Sequence, residues 1–345
     1  MIDWGVAERI ASGVAGTPAG GTQLAGDLDA FARDARERVV AYTGLVPARE
    51  IPAPEAVDRR EWLGLNLRSM RTMMEPIERK LQGGGSPFAA PLRAAGGMLL
   101  GAEIGGLTGY LSQRVLGQYE LVLLDPESPE RLLFVAPNLR EAARRLEVGE
   151  ADLVAWVAIH EVTHAVQFTG VPWLREHLAG RMRALLETVD VKVDLARLPT
   201  ADDLRDAVER FRQGGLVTLV AGPERMAILD GVQATMAVIE GHAEHVMDAV
   251  GEELLPSLPQ LRDALDRRRS EKPPAVRLLE KLIGLELKMK QYEQGRAFCD
   301  AVVERGGIQA LNRVWSSPDA LPTLPEIEAP DAWIARTAPP ALPGA

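Results

Sequence analysis

The sequence predicts a mainly helical α+β fold with one small β element beside its functional centre. Three observations carry that prediction. Apolar residues recur at helical spacing through most of the long segments, several of which open on Asp, Asn or Pro and close on Gly. Only two short apolar runs, residues 119–124 and 132–136, read as strands, and the turn-forming text Asp125-Pro126-Glu127-Ser128-Pro129-Glu130 separates them. One apolar helical stretch, residues 155–168, carries His160-Glu161-Val162-Thr163-His164.

Taken in order, residues 1–25 read as an N-terminal arm, a short amphipathic start followed by a Gly-rich run. Residues 27–42 alternate charge and apolar character at helical spacing and stop at Gly44 and Pro47. A Pro-rich link spans 46–54. Asp58-Arg59-Arg60-Glu61 then opens a helix that runs to Leu81 and ends in Gly83-Gly84-Gly85-Ser86-Pro87. Residues 94–112 form a helix with Gly97, Gly101, Gly105 and Gly109 on one stripe, which lets another helix approach closely. The two strand-like runs follow as a hairpin, then a short helix with Asn138 as its cap, then the His160 helix from Glu150. Further helices are expected over 172–189, 201–213, 223–250 and 274–304. Residues 171–222 thus read as a helical insertion within a single unit over 26–317. The Pro-rich residues 318–345 read as a wrap or tail.

Composition narrows the partners. With 46% hydrophobic and 26% charged residues in 345, the chain can bury a large core. A net charge of -10 disfavours nucleic acid and anionic membrane, both of which reward clustered Lys and Arg. The run Arg267-Arg268-Arg269 sits among Asp263, Asp266 and Glu271 and reads as a solvated helix end. Cys299 is the sole cysteine, so neither an intrachain disulfide nor a thiolate zinc cluster is available. The N-terminal text lacks the pattern of a secretory signal, and the expected location is cytoplasmic. The glycine-striped helix approaches the length of a membrane span, but Glu103, the many glycines and the lack of aromatic flanks favour a buried helix and no membrane insertion.

His160 and His164 stand one turn apart on one helix face, so two neutral imidazoles can hold one Zn²⁺, with Glu161 beside them to take a proton from a polarised water. A catalytic zinc wants three protein ligands, and the third must come from elsewhere. The extended motif that adds a third His soon after the second is excluded by Gln167 and Gly170 at the required Gly and His positions. What remains is Glu240-Gly241-His242-Ala243-Glu244-His245, 76 positions after His164. Glu240 would complete a two-His, one-Glu site, while His242 or His245 would complete a three-His site, and ligand chemistry alone leaves both open. Gly241 would spare space next to the metal. Glu244, one turn after Glu240, and Asp248, one turn further, would orient a ligand histidine, with His242 also near the ligands.

Glu240-Gly241-His242-Ala243 resembles the Glu-Gly-x-Ala motif from which gluzincin peptidases draw their third ligand, and the resemblance favours Glu240. The wider chain resembles an actinobacterial and Chloroflexi family of zincin-like hydrolases, one branch of which is linked to deazaflavin coenzyme biosynthesis. That likeness rests on residues 160–168, on 240–244 with Val246, Met247 and Asp248, and on Lys288-Met289-Lys290-Gln291-Tyr292 with Gly295 and Phe298. It implies a zincin-like metallopeptidase architecture with an HExxH helix and a downstream Glu-bearing helix. By the same resemblance the chemistry is hydrolysis of a peptide or amide substrate with Zn²⁺ as cofactor and Glu161 as general base. His245, where some gluzincins carry Tyr, and Tyr292 are the candidates to stabilise the oxyanion. The alternative from another class is an inactive, zinc-stabilised helical module that serves binding or assembly. Neither substrate nor oligomeric state follows from the sequence.

Overall fold

Short polar residues set the first helix ends. Asp3 accepts from the backbone of Val6 at the start of α1 (Trp4–Ala15), and Asp27 accepts from Ala30 at the start of α2 (Leu28–Thr43). Gly44 closes α2 in the left-handed conformation, with its N–H on Val40 O. Asp58 caps α3 (Arg59–Gln82) by accepting from the backbone of Arg60 and Glu61. The structure is a computed structural model and describes residues 2–16, 21–82, 90–188, 223–255, 257, 259–264 and 285–338. The helix expected at 201–213, the start of that expected from 274 and the last seven residues of the tail lie outside the described residues.

The remaining helices are α4 (Ala90–Ser112), α5 (Ala136–Leu146), α6 (Glu150–Gly170), α7 (Leu174–Thr188), α8 (Pro223–Leu254), α9 (Leu285–Leu311), α10 (Leu324–Glu328) and α11 (Pro330–Thr337). The sheet has three strands, β1 (Pro54–Val57), β2 (Gly117–Glu120) and β3 (Arg131–Val135), in the order β1-β3-β2. β2 pairs antiparallel with β3, Gly117 opposite Phe134 and Glu120 opposite Arg131, as the hairpin expectation requires, though β2 begins two residues earlier than expected and stops at Glu120, leaving residues 121–124 outside the strand. β1 pairs parallel with β3, Pro54 opposite Leu132. It falls at the end of the text read as a Pro-rich link, where four residues opening on a proline leave no alternation to read.

Three apolar clusters surround this frame. One face of the sheet, with Leu132 and Phe134, packs on α2, α5, α6 and α8. The other face, with Leu133 and Val135, packs on α1 and α3. A third cluster joins α7, α8, α9 and the C-terminal turns. Its anchor is Trp333, fully buried, with Nε1 donating to Ala320 O at 2.7 Å.

Residues 2–16, expected as part of an arm, are helix for most of their length and are pinned to the glycine stripe of α4. A Cβ at Gly101 would lie 2.3 Å from Asp3 O, one at Gly105 2.4 Å from Ala7 O, and one at Gly109 2.9 Å from Ala11 O. Ala7 and Ala11 meet that stripe, small residue on small residue, and Ala15 is buried on the same helix. The stripe is buried as expected, but the outer face of α4 exposes Met98 and Leu99. No helix of the described residues is long and apolar enough to cross a membrane. Asn138 is not a cap: Val135 holds that position, and Asn138 lies in the first turn of α5, buried, with its amide on Ser112 O and Val115 O. It ties the end of α4 to the sheet.

Candidate metal centre

α6 runs through the largest cluster with most of its residues buried, β2 against one side and α8 against another. Its apolar text places it there, and that burial is what fixes the polar residues it carries. His160 and His164, one turn apart, bring their Nε2 atoms to 3.1 Å. From α8, Glu240 brings Oε2 to 3.7 Å from His160 Nε2 and 3.6 Å from His164 Nε2. Donors about 2.0 to 2.1 Å from a tetrahedral zinc stand roughly 3.3 Å from one another, so the three atoms fit one such ion. Among the described residues, His160, His164 and Glu240 form the one group of three or more His, Cys, Asp or Glu side chains able to hold a metal. In the metal-free protein burial pulls the His164 imidazole down, while the Glu240 carboxylate, Glu161 and the bond to Gln167 more than offset it and push His164 up to about 9.

Glu161 lies near the cluster, its charge acting on the His164 imidazole. Its Oε2 accepts the backbone N–H of Tyr119 on β2 at 2.8 Å, and the side chain is buried. The approach is close because residue 117 has no side chain. A Cβ there would stand 2.7 Å from Glu161 Cγ, 2.7 Å from Val157 Cγ1 and 2.9 Å from Glu161 Oε1. β2 is an edge strand, and its outer edge is the one that faces this carboxylate.

One further residue belongs to the centre. Gln167 Oε1 lies 2.9 Å from His164 Nδ1, and Gln167 Nε2 lies 3.0 Å from both Ile239 O and His242 Nδ1. In the sequence Gln167 served to exclude a third histidine and to carry the family resemblance, with no role in the site. Its spacing was a usable signal, because residues 160, 164 and 167 lie on one helix face.

The other expected residues are distributed differently. His242 is fully buried, and burial pushes its imidazole down to about 3, so it is neutral. His245 has both ring nitrogens engaged, Nε2 with Tyr42 OH at 2.8 Å and Nδ1 with Asp300 at 2.7 Å. Neither joins the three-donor cluster. Glu244 pairs with Arg262 at 3.4 Å, and Asp248 pairs with Arg262 and with Arg296, so both serve ion pairs instead of a ligand histidine. Gly241 spares space for a helix and not for the metal: a Cβ there would lie 2.2 Å from the backbone carbon of Gly295 on α9. Tyr292 falls on α9, and its side chain lies outside the described residues.

A half-buried His-His-Glu cluster on two helices, with a glutamate beside it and an edge strand alongside, is the frame of a zinc hydrolase. Residues 2–334 match the model of a family described as zincin-like metallopeptidase. The chain belongs to that family. This zincin-like chain is also similar to a solved structure from Chloroflexus aurantiacus described as a "putative hydrolase with a novel fold". The two share 32% identity over 97% of this chain and 98% of the other, with a TM-score of 0.69. No curated protein matches the chain. Family and donor set together class the protein as a zinc metallohydrolase.

Proposed function

We propose that the protein is a zinc-dependent peptidase that hydrolyses a peptide or amide bond, with His160, His164 and Glu240 as metal ligands and Glu161 as general base. The observation that carries this reading is the convergence of three donors at 3.1 to 3.7 Å beside a carboxylate held by β2. A bound zinc ion supplies Lewis acidity that polarises water and the scissile carbonyl. Glu161 takes the proton from the attacking water and delivers it to the leaving amine. The Tyr119 N–H holds one carboxylate oxygen of Glu161, which leaves the other for that proton. The edge of β2 offers backbone groups to an extended substrate, aligning its peptide unit with Glu161.

Three protein donors, and no fourth among the described residues, favour a catalytic centre over a closed structural one. The same chemistry would serve a small-molecule amidase, the setting suggested by the resemblance to a coenzyme-biosynthesis branch. The test is zinc content by mass spectrometry on wild type and Glu240→Ala, followed by a peptide and amide screen. One zinc per chain that is lost in the variant supports the reading, and a wild type without zinc after metal-replete purification overturns it.

A further inference from the structure

We infer that Gln167 is the positioning residue of the metal centre, clamping the second ligand histidine and the Glu240-bearing helix with the two ends of one amide. The inference rests on the zinc reading above.

The argument is a matter of donors and acceptors. Gln167 is fully buried, so each of its amide hydrogen bonds must be made within the protein. Ile239 O, 3.0 Å from one end of the amide, is a carbonyl and can only accept. That end is therefore the NH₂ group, and the other end is the oxygen. The oxygen faces His164 Nδ1 at 2.9 Å, so Nδ1 carries the proton and Nε2 keeps its lone pair. Nε2 is the atom that faces His160 and Glu240. A single amide orientation, dictated by a carbonyl on another helix, thus selects the tautomer of His164 that can bind a metal.

The second amide hydrogen works on α8. It reaches His242 Nδ1 at 3.0 Å, which fixes Nδ1 as acceptor. The buried His242 ring has no other hydrogen-bond partner among the described residues, Nε2 being unpartnered, and Trp315 packs edge to face against it at 5.3 Å. Gln167 is therefore its polar anchor. Ile239 and His242 bracket Glu240 in the chain, so the NH₂ group of Gln167 grips α8 on both sides of the third ligand. Gln167 thus joins the HExxH helix to the glutamate helix at the level of the third ligand, within the apolar packing that the two helices share.

Two measurements test the role. The first is zinc affinity by competition with a chromophoric chelator for wild type, Gln167→Met and Gln167→Glu. Methionine matches the volume of glutamine but neither accepts from Nδ1–H nor donates to α8, and a loss of about 10- to 100-fold is expected. Glutamate keeps an acceptor for His164 and should fall between the two. A methionine variant within about twofold of wild type, or two variants equally weakened, overturns the positioning role. The second measurement needs no metal. Long-range proton–nitrogen spectra of the five histidines of the metal-free protein, recorded with the imidazoles neutral, should show His164 protonated on Nδ1. An Nε2–H tautomer there would overturn the inference even if zinc binds. Should wild type take up no zinc, the peptidase reading falls, and this spectrum still decides the role of Gln167. If Gln167→Met does not fold, the glutamate variant and the wild-type spectrum decide it.

Discussion

On the face of α8 turned to α6, Glu240 meets two imidazoles. On the adjoining face Glu244, Asp248 and His245 meet Arg262, Arg296, Tyr42 and Asp300. The same residue types sit within nine positions of one another, yet only the first carboxylate reaches the ligand histidines. Glu244 stands one turn from Glu240, as His164 does from His160, but its carboxylate pairs with Arg262 at 3.4 Å and does not join the cluster. The task expected of it, orienting a ligand histidine, is already done from within α6 by Gln167, one turn after His164. Freed from the metal, the carboxylates of α8 build an ion-pair lattice that runs from Glu244 through Arg262, Asp248 and Arg296 to Asp300, and on through His245 to Tyr42. One face is chemistry and the other is attachment, and substitutions should separate them.

The largest separation is expected at the metal face. Glu240→Ala should weaken zinc binding by more than about 100-fold, read by chelator competition, while the helix packing around it persists. Glu161→Gln should retain zinc, because the amide oxygen can still accept from Tyr119 N–H, and should lower turnover by about 10²- to 10⁴-fold on any substrate the screen returns. Equal zinc loss in both variants would show that Glu161 belongs with the ligands. Next in size is Gly241→Ala. Its Cβ would strike the backbone of Gly295, which no side-chain rotation relieves, and the reciprocal contact of Gly295 with Ala237 O is as tight. A destabilisation of about 3 kcal/mol is expected in denaturant unfolding of the metal-free protein. Wild-type stability in that variant would show that α8 and α9 can part cheaply.

How much of this was legible depended on how local each signal was. The HExxH helix announces itself because motif, burial and start at Glu150 all lie within one 21-residue element. Glu240 was legible through its Glu-Gly-x-Ala text, although the purpose of that glycine was not: its reason is Gly295, 54 positions away, and only the packed pair of helices shows it. β3 was visible as an apolar run, whereas β1 is four residues held in place by its neighbour. The N-terminal helix was underestimated for a similar reason. Ala7, Ala11 and Ala15 repeat at the same four-residue interval as Gly101, Gly105 and Gly109, but either stripe alone is a weak signal and only their pairing gives a packed interface. Gln167 was in plain view one turn beyond His164, and what the sequence could not supply was the carbonyl of Ile239 that orients it.

A smaller effect is expected on the attachment face. Asp248→Asn removes the charge that Arg262 and Arg296 share, in a setting where the three side chains are 19 to 38% exposed. Solvent screens such partly exposed pairs, so a loss of roughly 1 to 2 kcal/mol is expected, with zinc affinity within about twofold of wild type. A large fall in zinc affinity would mean that the lattice holds Glu240 in place and that the two faces are one device.

The smallest effect tests the boundary between the faces, where His242 sits. It is fully buried and pushed down to about 3, against an unfolded value near 6.5, so the unfolded chain binds a proton that the folded chain refuses. Stability from this group is therefore complete above about pH 6.5 and falls as pH drops towards 3, because acid favours the unfolded form. Between pH 6.5 and 5.5 the slope is that of one proton, about 1 kcal/mol over the interval. His242→Gln removes this titration, so the difference in unfolding free energy between wild type and variant should shrink or reverse by that amount over the same interval. A difference that stays flat would mean that His242 accepts a proton in the folded protein, and with it that the hydrogen bond from Gln167 to Nδ1 is not what holds the ring.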